Sequence, residues 1–427
     1  MKRCSGRDIS RGPTWLIAFL VTLAVPATAL AMPASGDLDR SFGDEGEVTT
    51  NFGDHRCGGD PDCAEDYLRD VVVDAQDRIV AAGVAGTSDP SGDFGLARYK
   101  PRGRLDSSFS GNGKVRTDFG GLDGVYTLAL DSQERIVAVG PADDDYGLAR
   151  YLPDGSLDPS FGTGGKLTTT VISWSVAIDS QDRLIVAGNR QRRDFRISRY
   201  LPDGTLDPSF SGDGKVATHF PNRVLCCQLA IDSLDRIVAR GGLRSDHGTR
   251  GVLVRYLPTG TLDSSFSGDG MIITGTKRAY VGSPTIDAQD RIVAVGRAPG
   301  GGFGVARYKP DGSLDESFSG NGRVKTSFED DQAAACSVAI DYRRRIVVGG
   351  FVDNEGRLAI ARYRRDGDLD HSFSGDGKVK TDFKTFQAGC KMALDSEGRI
   401  VAGGDRRVEH RNGSEDSDFV LARFIGY

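Results

Sequence analysis

Beyond residue 31, apolar residues fall in short segments rich in Val, Ile, Tyr and Phe, each closed by Gly, Asp, Asn, Ser or Pro, which predicts short strands joined by tight turns. The pattern repeats. The string Leu-Asp-x-Ser-Phe begins at Leu38, Leu105, Leu157, Leu206, Leu262, Leu314 and Leu369. Each copy leads into a Gly-rich turn, a Lys-Val-x-Thr-like strand, an apolar segment ending in Asp, an Arg-Ile-Val-Ala-x-Gly strand and an Ala-Arg-Tyr strand. A lone four-stranded sheet cannot bury both faces, whereas a ring of them can, so four strands per unit point to blades of a propeller. The expected fold is all-β: a seven-bladed β-propeller of four-stranded antiparallel blades.

Spacing within the unit separates its connections into two kinds. From the Asp closing one strand to the Arg opening the next, the interval is four residues in all seven units, from Asp74 to Arg78 through Asp395 to Arg399. From the Tyr of Ala-Arg-Tyr to the next Phe it is ten residues, as in Tyr99 to Phe109 and Tyr363 to Phe373. The other two connections vary, running from 18 to 32 residues between Phe and Asp and from 15 to 24 between Arg and Arg. Successive antiparallel strands put alternate turns on opposite faces, so one face is constant and the other is variable; recognition usually resides on such loops. The phase of the unit also leaves the segment 47–52 without a partner at the start and an Ala-Arg-Phe strand at the end. The expected closure pairs residues 46–52 with 418–425, which removes open edges that invite aggregation.

Composition changes little in this picture but excludes some functions. The chain has 427 residues with 57 Gly and 38% hydrophobic residues, and glycine shows no three-residue period, so collagen is excluded. Lys2, Arg3, Arg7 and Arg11 precede the apolar run Trp15–Leu30, which closes on Ala29-Leu30-Ala31: residues 1–31 are expected to be a signal peptide cut after Ala31, leaving a propeller over 32–427. No membrane span is then expected, and the product would be secreted or periplasmic, as a monomer. Cleavage takes the net charge from -6 to -9, which argues against a nucleic-acid partner because no basic surplus remains to neutralise phosphates. In an oxidising setting Cys57 and Cys63, which enclose a short Gly/Asp/Pro loop, are expected to bridge. Cys336 and Cys390 hold equivalent positions on adjacent inner strands; a bridge between them and two separate buried thiols both fit.

Leu157 to Lys166, Asp179 to Gly188 and Arg199 to Gly204, with similar stretches in the other units, resemble the bacterial delta-60 repeat family. The Asp-x-x-x-Arg-Ile-Val-Ala-x-Gly segment is more loosely similar to the inner hairpin of NHL-type and streptogramin-lyase-like propellers. The resemblance covers nearly all of residues 36–427 and implies a propeller, with no general activity attached.

Candidate chemistry is sparse. The five histidines hold different repeat positions, and no metalloprotease, nucleophile-elbow, phosphate-loop or C-x-x-C pattern occurs, so no catalytic residue, metal site or cofactor is expected. The recurrent Arg of the Ala-Arg-Tyr strand is expected to be half-buried and paired with a recurrent Asp. The turn positions Glu45, Asn112, Gly164, Asp213, Asp269, Asn321 and Asp376 are expected to serve positive φ rather than calcium. Four residues before each inner-strand Asp stand Asp70, Thr127, Ser175, Gln228, Ser283, Ser337 and Lys391, mostly polar, and these are the candidate ligand-binding residues of an axial mouth. Two functions remain open: a non-catalytic scaffold whose variable face binds a protein, glycan or cell-envelope component, or a lyase or hydrolase acting at the axial mouth.

Overall fold

The computed structural model describes residues 34–53, 65–86, 91–171, 173–189, 193–245, 248–274, 281–328, 332–352, 357–381, 391–409 and 415–427. The expected signal peptide, the Cys57–Cys63 bridge and Cys390 lie outside these residues. Seven sheets of four antiparallel strands form a propeller closed by the N-terminal segment. From the axis outward, blade 1 is Tyr67–Val73, Ile79–Gly86, Gly92–Tyr99 and Lys114–Thr117, and blade 2 is Thr127–Leu130, Ile136–Ala142, Asp145–Tyr151 and Lys166–Thr169. Blade 3 is Ser175–Ile178, Leu184–Gly188, Asp194–Tyr200 and Lys215–His219, and blade 4 is Arg223–Ile231, Ile237–Ser245, Gly248–Tyr256 and Met271–Ile273. Blade 5 is Val281–Ile286, Ile292–Arg297, Phe303–Tyr308 and Arg323–Thr326, and blade 6 is Ala334–Ile340, Ile346–Phe351, Leu358–Tyr363 and Lys378–Lys380. Blade 7 joins Lys391–Leu394, Ile400–Glu409 and Glu415–Phe424 to Glu47–Thr50.

The two middle strands of each blade are sandwiched by both neighbouring blades, which is why Ile-Val-Ala-x-Gly and Leu-Ala-Arg-Tyr read as near-continuous apolar runs rather than alternating ones. Seven apolar clusters result. Val80, Ala82, Phe94 and Leu96 of blade 1, for example, pack with Leu128, Ile136 and Ala149 of blade 2.

The Leu-Asp-x-Ser-Phe string locks each blade to the next. In blade 1 the Arg98 Nε donates to Asp106 at 3.0 Å, an Arg98 terminal nitrogen donates to Ser108 Oγ at 3.0 Å, and the other terminal nitrogen reaches the Pro153 carbonyl of the following blade. The guanidinium lies 4.7 Å from the centre of the Phe109 ring. Asp106 in turn accepts the amide and hydroxyl of Ser108. The same pairs recur at Arg150–Asp158, Arg199–Asp207, Arg255–Asp263, Arg307–Asp315, Arg362–Asp370 and Arg423–Asp39. The recurrent Arg is thus paired with a recurrent Asp, and it is fully rather than half buried: Arg255 and Arg362 are 1% and 0% exposed. Burial pushes the Asp106 carboxyl upward, but the Ser108 hydrogen bonds and the Arg98 charge outweigh it and hold the group below its usual range.

Closure joins the expected segments. Glu47 pairs with Ala422, Val48 with Leu421, Thr49 with Val420 and Thr50 with Phe419. The last Arg–Asp pair, between Arg423 and Asp39 at 2.8 Å, joins the two ends of the described chain.

The turn after the Phe corrects one expectation. Positive φ falls on Ser110, Ser211, Ser267, Ser319 and Ser374 and on the glycines beside them; Asn112, Asp213, Asp269, Asn321 and Asp376 do not adopt it. Their side chains instead accept the amide two residues on, such as Lys114 N on Asn112 Oδ1 at 2.9 Å. Only Glu45 and Gly164, in the two units that carry Gly after the Phe, have positive φ at this position. The repeat therefore uses two turns, one needing an Asx acceptor and one needing left-handed backbone.

Candidate functional site

The two faces differ as the spacing implied, and the constant face is stitched in a way the spacing did not reveal. Within each inner hairpin the Asp accepts the amide and Nε of the Arg four residues on, for example Arg183 Nε on Asp179 at 2.7 Å. The residue before that Arg sits at positive φ as Asp77, Asp182, Asp235 and Asp290. Its carboxylate reaches back to the preceding blade, accepting Ser132 Oγ at Asp182, Ser180 Oγ at Asp235, Ser233 Oγ at Asp290 and Ser396 Oγ at Asp77, at 2.6 to 2.8 Å. The signal was present in the sequence as a Ser one residue after the inner-strand Asp, but only ring packing shows that it meets the next blade. These bonds tie four of the seven seams on the constant face.

On the variable face the hairpins between the second and third strands have unequal reach. Blade 4 pairs Ser245 with Gly248, and blade 7 extends its ladder from Ile400–Phe424 out to Glu409–Glu415. The segment between Gly404 and Asp418 is thus largely a continued antiparallel hairpin, with rungs from Gly404–Val420 out to Glu409–Glu415. At its base Asp405 is buried and accepts the Leu68 amide of blade 1 at 2.6 Å. Burial pushes the Asp405 carboxyl up to about 6, opposed by the Leu68 amide and the Arg69 charge.

The structure brings the seven axial candidates onto the innermost strands, where neighbours bond one another. Lys391 Nζ lies 3.7 Å from Asp70 across the blade 7–blade 1 junction, and Asp70 accepts the Leu128 amide of blade 2 at 2.8 Å. Ser175 Oγ accepts the Leu229 amide of blade 4 at 3.2 Å, and Ser283 Oγ donates to Gln228 at 3.1 Å. Thr127 and Ser337 are buried at 6% exposure each. Cys336 Sγ stands 3.7 Å from the Gly349 carbonyl; Cys390, its counterpart on the next inner strand, lies outside the described residues.

Among the described residues, one group has carboxylates spaced for a cation: oxygens of Asp93, Asp118 and Asp123 lie within 4.8 Å of one another. The buried member is already engaged, because Asp123 accepts the amides of Phe119 and Asp143. Burial, with Asp118 and Asp93 adding repulsion, pushes its carboxyl up. Arg116 stands 3.5 Å from Asp93.

A family model described as a domain of unknown function, DUF5122, of β-propeller type matches residues 77–109, 135–161, 182–210, 237–266, 290–318 and 344–373. The chain carries DUF5122 β-propeller repeats. Each match runs from the inner hairpin turn to the next Leu-Asp-x-Ser-Phe, and the seventh DUF5122-like copy is split, its hairpin near the C-terminus and its Phe at Phe42. No curated protein matches the chain. Among solved structures, the chain is similar to a PQQ-bound aldose sugar dehydrogenase from Streptomyces coelicolor, at 14% identity and TM-score 0.43 over 71% of this chain and 95% of that one. It is also similar to the β-propeller domain of the trilobed protease from Pyrococcus furiosus, at 7% identity and TM-score 0.46 over 85% and 97%. A polysaccharide lyase of the PL25 ulvan lyase family matches at 11% identity and TM-score 0.48 over 84% and 93%. Likenesses this distant assign no chemistry to the DUF5122 repeats.

Proposed function

We propose that this chain is an exported, non-catalytic propeller scaffold of the delta-60 type, whose variable face binds a protein, glycan or cell-envelope component. The observation that carries this reading is the asymmetry of the two faces. One is held by constant turns and a belt of Ser–Asp hydrogen bonds, and the other carries hairpins of unequal length. The axial side chains bond each other and neighbouring backbone, which supports a lining role over a catalytic one.

Capture from periplasm and culture medium by the tagged mature chain tests the reading. Replacing 407–416 with Asn-Gly shortens the blade 7 hairpin, and Leu234→Glu alters an exposed turn of the constant face. A bound component lost with the shortened hairpin and kept by Leu234→Glu is the expected outcome. Loss with Leu234→Glu alone, or no captured component at all, would overturn it.

A further inference from the structure

The seam between blades 4 and 5 departs from most of its counterparts in three respects that meet in one place. At four other seams the variable-face end is plugged by a pair of rings: Phe52 with Phe419, Phe94 with Phe119, Phe195 with Phe220 and Phe303 with Phe328, centroids 4.6 to 5.0 Å apart. These rings lie over glycines of the following blade. A Cβ added at Gly241 would stand 2.5 Å from Phe195, one at Gly350 2.5 Å from Phe303, and one at Gly147 2.9 Å from Phe119. Blade 4 lacks both rings: Gly251 holds the position of Phe94, Phe195 and Phe303, and in the sequence Thr276 holds that of Phe119, Phe220 and Phe328. The matching glycines of blade 5, Gly296 and Gly304, line a cavity of about 370 Å³ instead.

The second departure is Arg240. Its counterparts in the other blades are Ala82, Val139, Ala187, Val295, Gly349 and Gly403, all apolar or small. Arg240 is 5% exposed and lines the cavity. Burial pushes its guanidinium down to about 10, so it keeps its charge at neutral pH. The third is a rerouted hydrogen bond, shared with the seam between blades 6 and 7, where Thr381 donates to the Leu358 carbonyl at 3.1 Å. Thr50, Thr117, Thr218 and Thr326 each bond the Tyr hydroxyl of the following blade at 2.6 to 2.8 Å. Here Thr274 instead donates to the Gly251 carbonyl at 3.2 Å. Arg297, Arg323 and Lys325 join Arg240 around the cavity, Val295, Val305 and Val324 supply apolar wall, and no carboxylate is among its described lining residues.

We propose that this cavity binds a small aromatic carboxylate, its ring in the space that paired phenylalanines fill at sister seams and its carboxylate against Arg240. The volume suits one substituted ring, and a described lining whose charged residues are all cations, in a chain of net charge -6, selects an anion. The inference does not rest on the macromolecular ligand proposed above, and a failed capture experiment leaves it standing.

Calorimetry with sodium phenylacetate on the mature chain is the test, with benzyl alcohol and inorganic phosphate as the uncharged and ringless comparators. One-to-one binding of phenylacetate is expected, with both comparators and Arg240→Met weaker by roughly tenfold or more. Gly251→Phe restores the missing ring over Gly296 and should abolish binding while the far-ultraviolet circular dichroism is unchanged. Nuclear Overhauser contacts from the ligand ring to methyls of Val295, Val305 and Val324 place the ligand without any variant. No saturable binding to the parent chain, phosphate binding as tightly as phenylacetate, or absence of those contacts at saturation would each overturn the proposal.

Discussion

At the scale of single residues, the recurrent Arg–Asp pair is where most is at stake. Arg255 is 1% exposed, pairs with Asp263 at 2.7 Å and stacks 4.6 Å from the Phe266 ring while reaching the Pro310 carbonyl of blade 5. Arg255→Ala leaves a buried carboxylate without its cation and should cost about 3–5 kcal/mol, read as a lower urea midpoint. Arg255→Lys should recover only part of it, because an ammonium cannot serve Asp263, Ser265 and Pro310 at once. An unchanged midpoint in the Ala variant would remove the pair from the stabilising framework. The acids titrate in opposite senses. Asp263 and its counterparts are held below their usual range despite burial, so their contribution is present at neutral pH and is lost as pH falls below about 4. Asp405 is raised to about 6, so between about 4 and 6 the native state keeps a proton that the unfolded chain has released, and stability falls as pH rises. Asp405→Asn keeps the acceptor for Leu68 and cannot ionise. It should gain roughly 2–3 kcal/mol at pH 8, with the advantage gone near pH 4. Denaturant midpoints across that range that track the parent would show the shift to be without consequence.

At the scale of elements, the blades were legible because hairpin chemistry is local. A four-residue interval from Asp179 to Arg183 leaves room for one tight turn, and the structure closes it with both the Asp179 carboxylate and the backbone. The turn after the Phe was less legible. Asp, Asn and Gly share a preference for left-handed backbone with a second use, side-chain acceptance by Asp and Asn, and composition cannot separate the two. The long blade 7 hairpin carries no apolar alternation that would mark it: its stretch is polar and charged, yet Arg406 to Glu409 continue the ladder against Glu415 to Asp418. Backbone pairing needs no apolar side chain once the first rungs are anchored.

For the whole molecule, closure is the property that the N-terminal strand decides. Removing residues 34–52 deletes the outer strand of blade 7 and the Asp39 partner of the buried Arg423. The truncated chain should lose several kcal/mol and become prone to association through the exposed Glu415–Phe424 edge, visible as a lower melting temperature and larger species in size-exclusion chromatography. A monomer with the parent melting temperature would mean that the ring does not depend on this strand. Seven copies of one turn chemistry sufficed to determine the strands, the blade count, the phase of closure and the contrast between faces, because each follows from intervals of a few residues. The departures from the repeat were equally visible one by one: Arg240 among small residues, Gly251 among aromatics, Thr276 in place of a ring. What only the tertiary structure decided is which of these meet. Arg240 and Gly251 lie on blade 4, Gly296 and Gly304 on blade 5, and a shared cavity arises because packed blades put the missing rings of one over the bare glycines of the next.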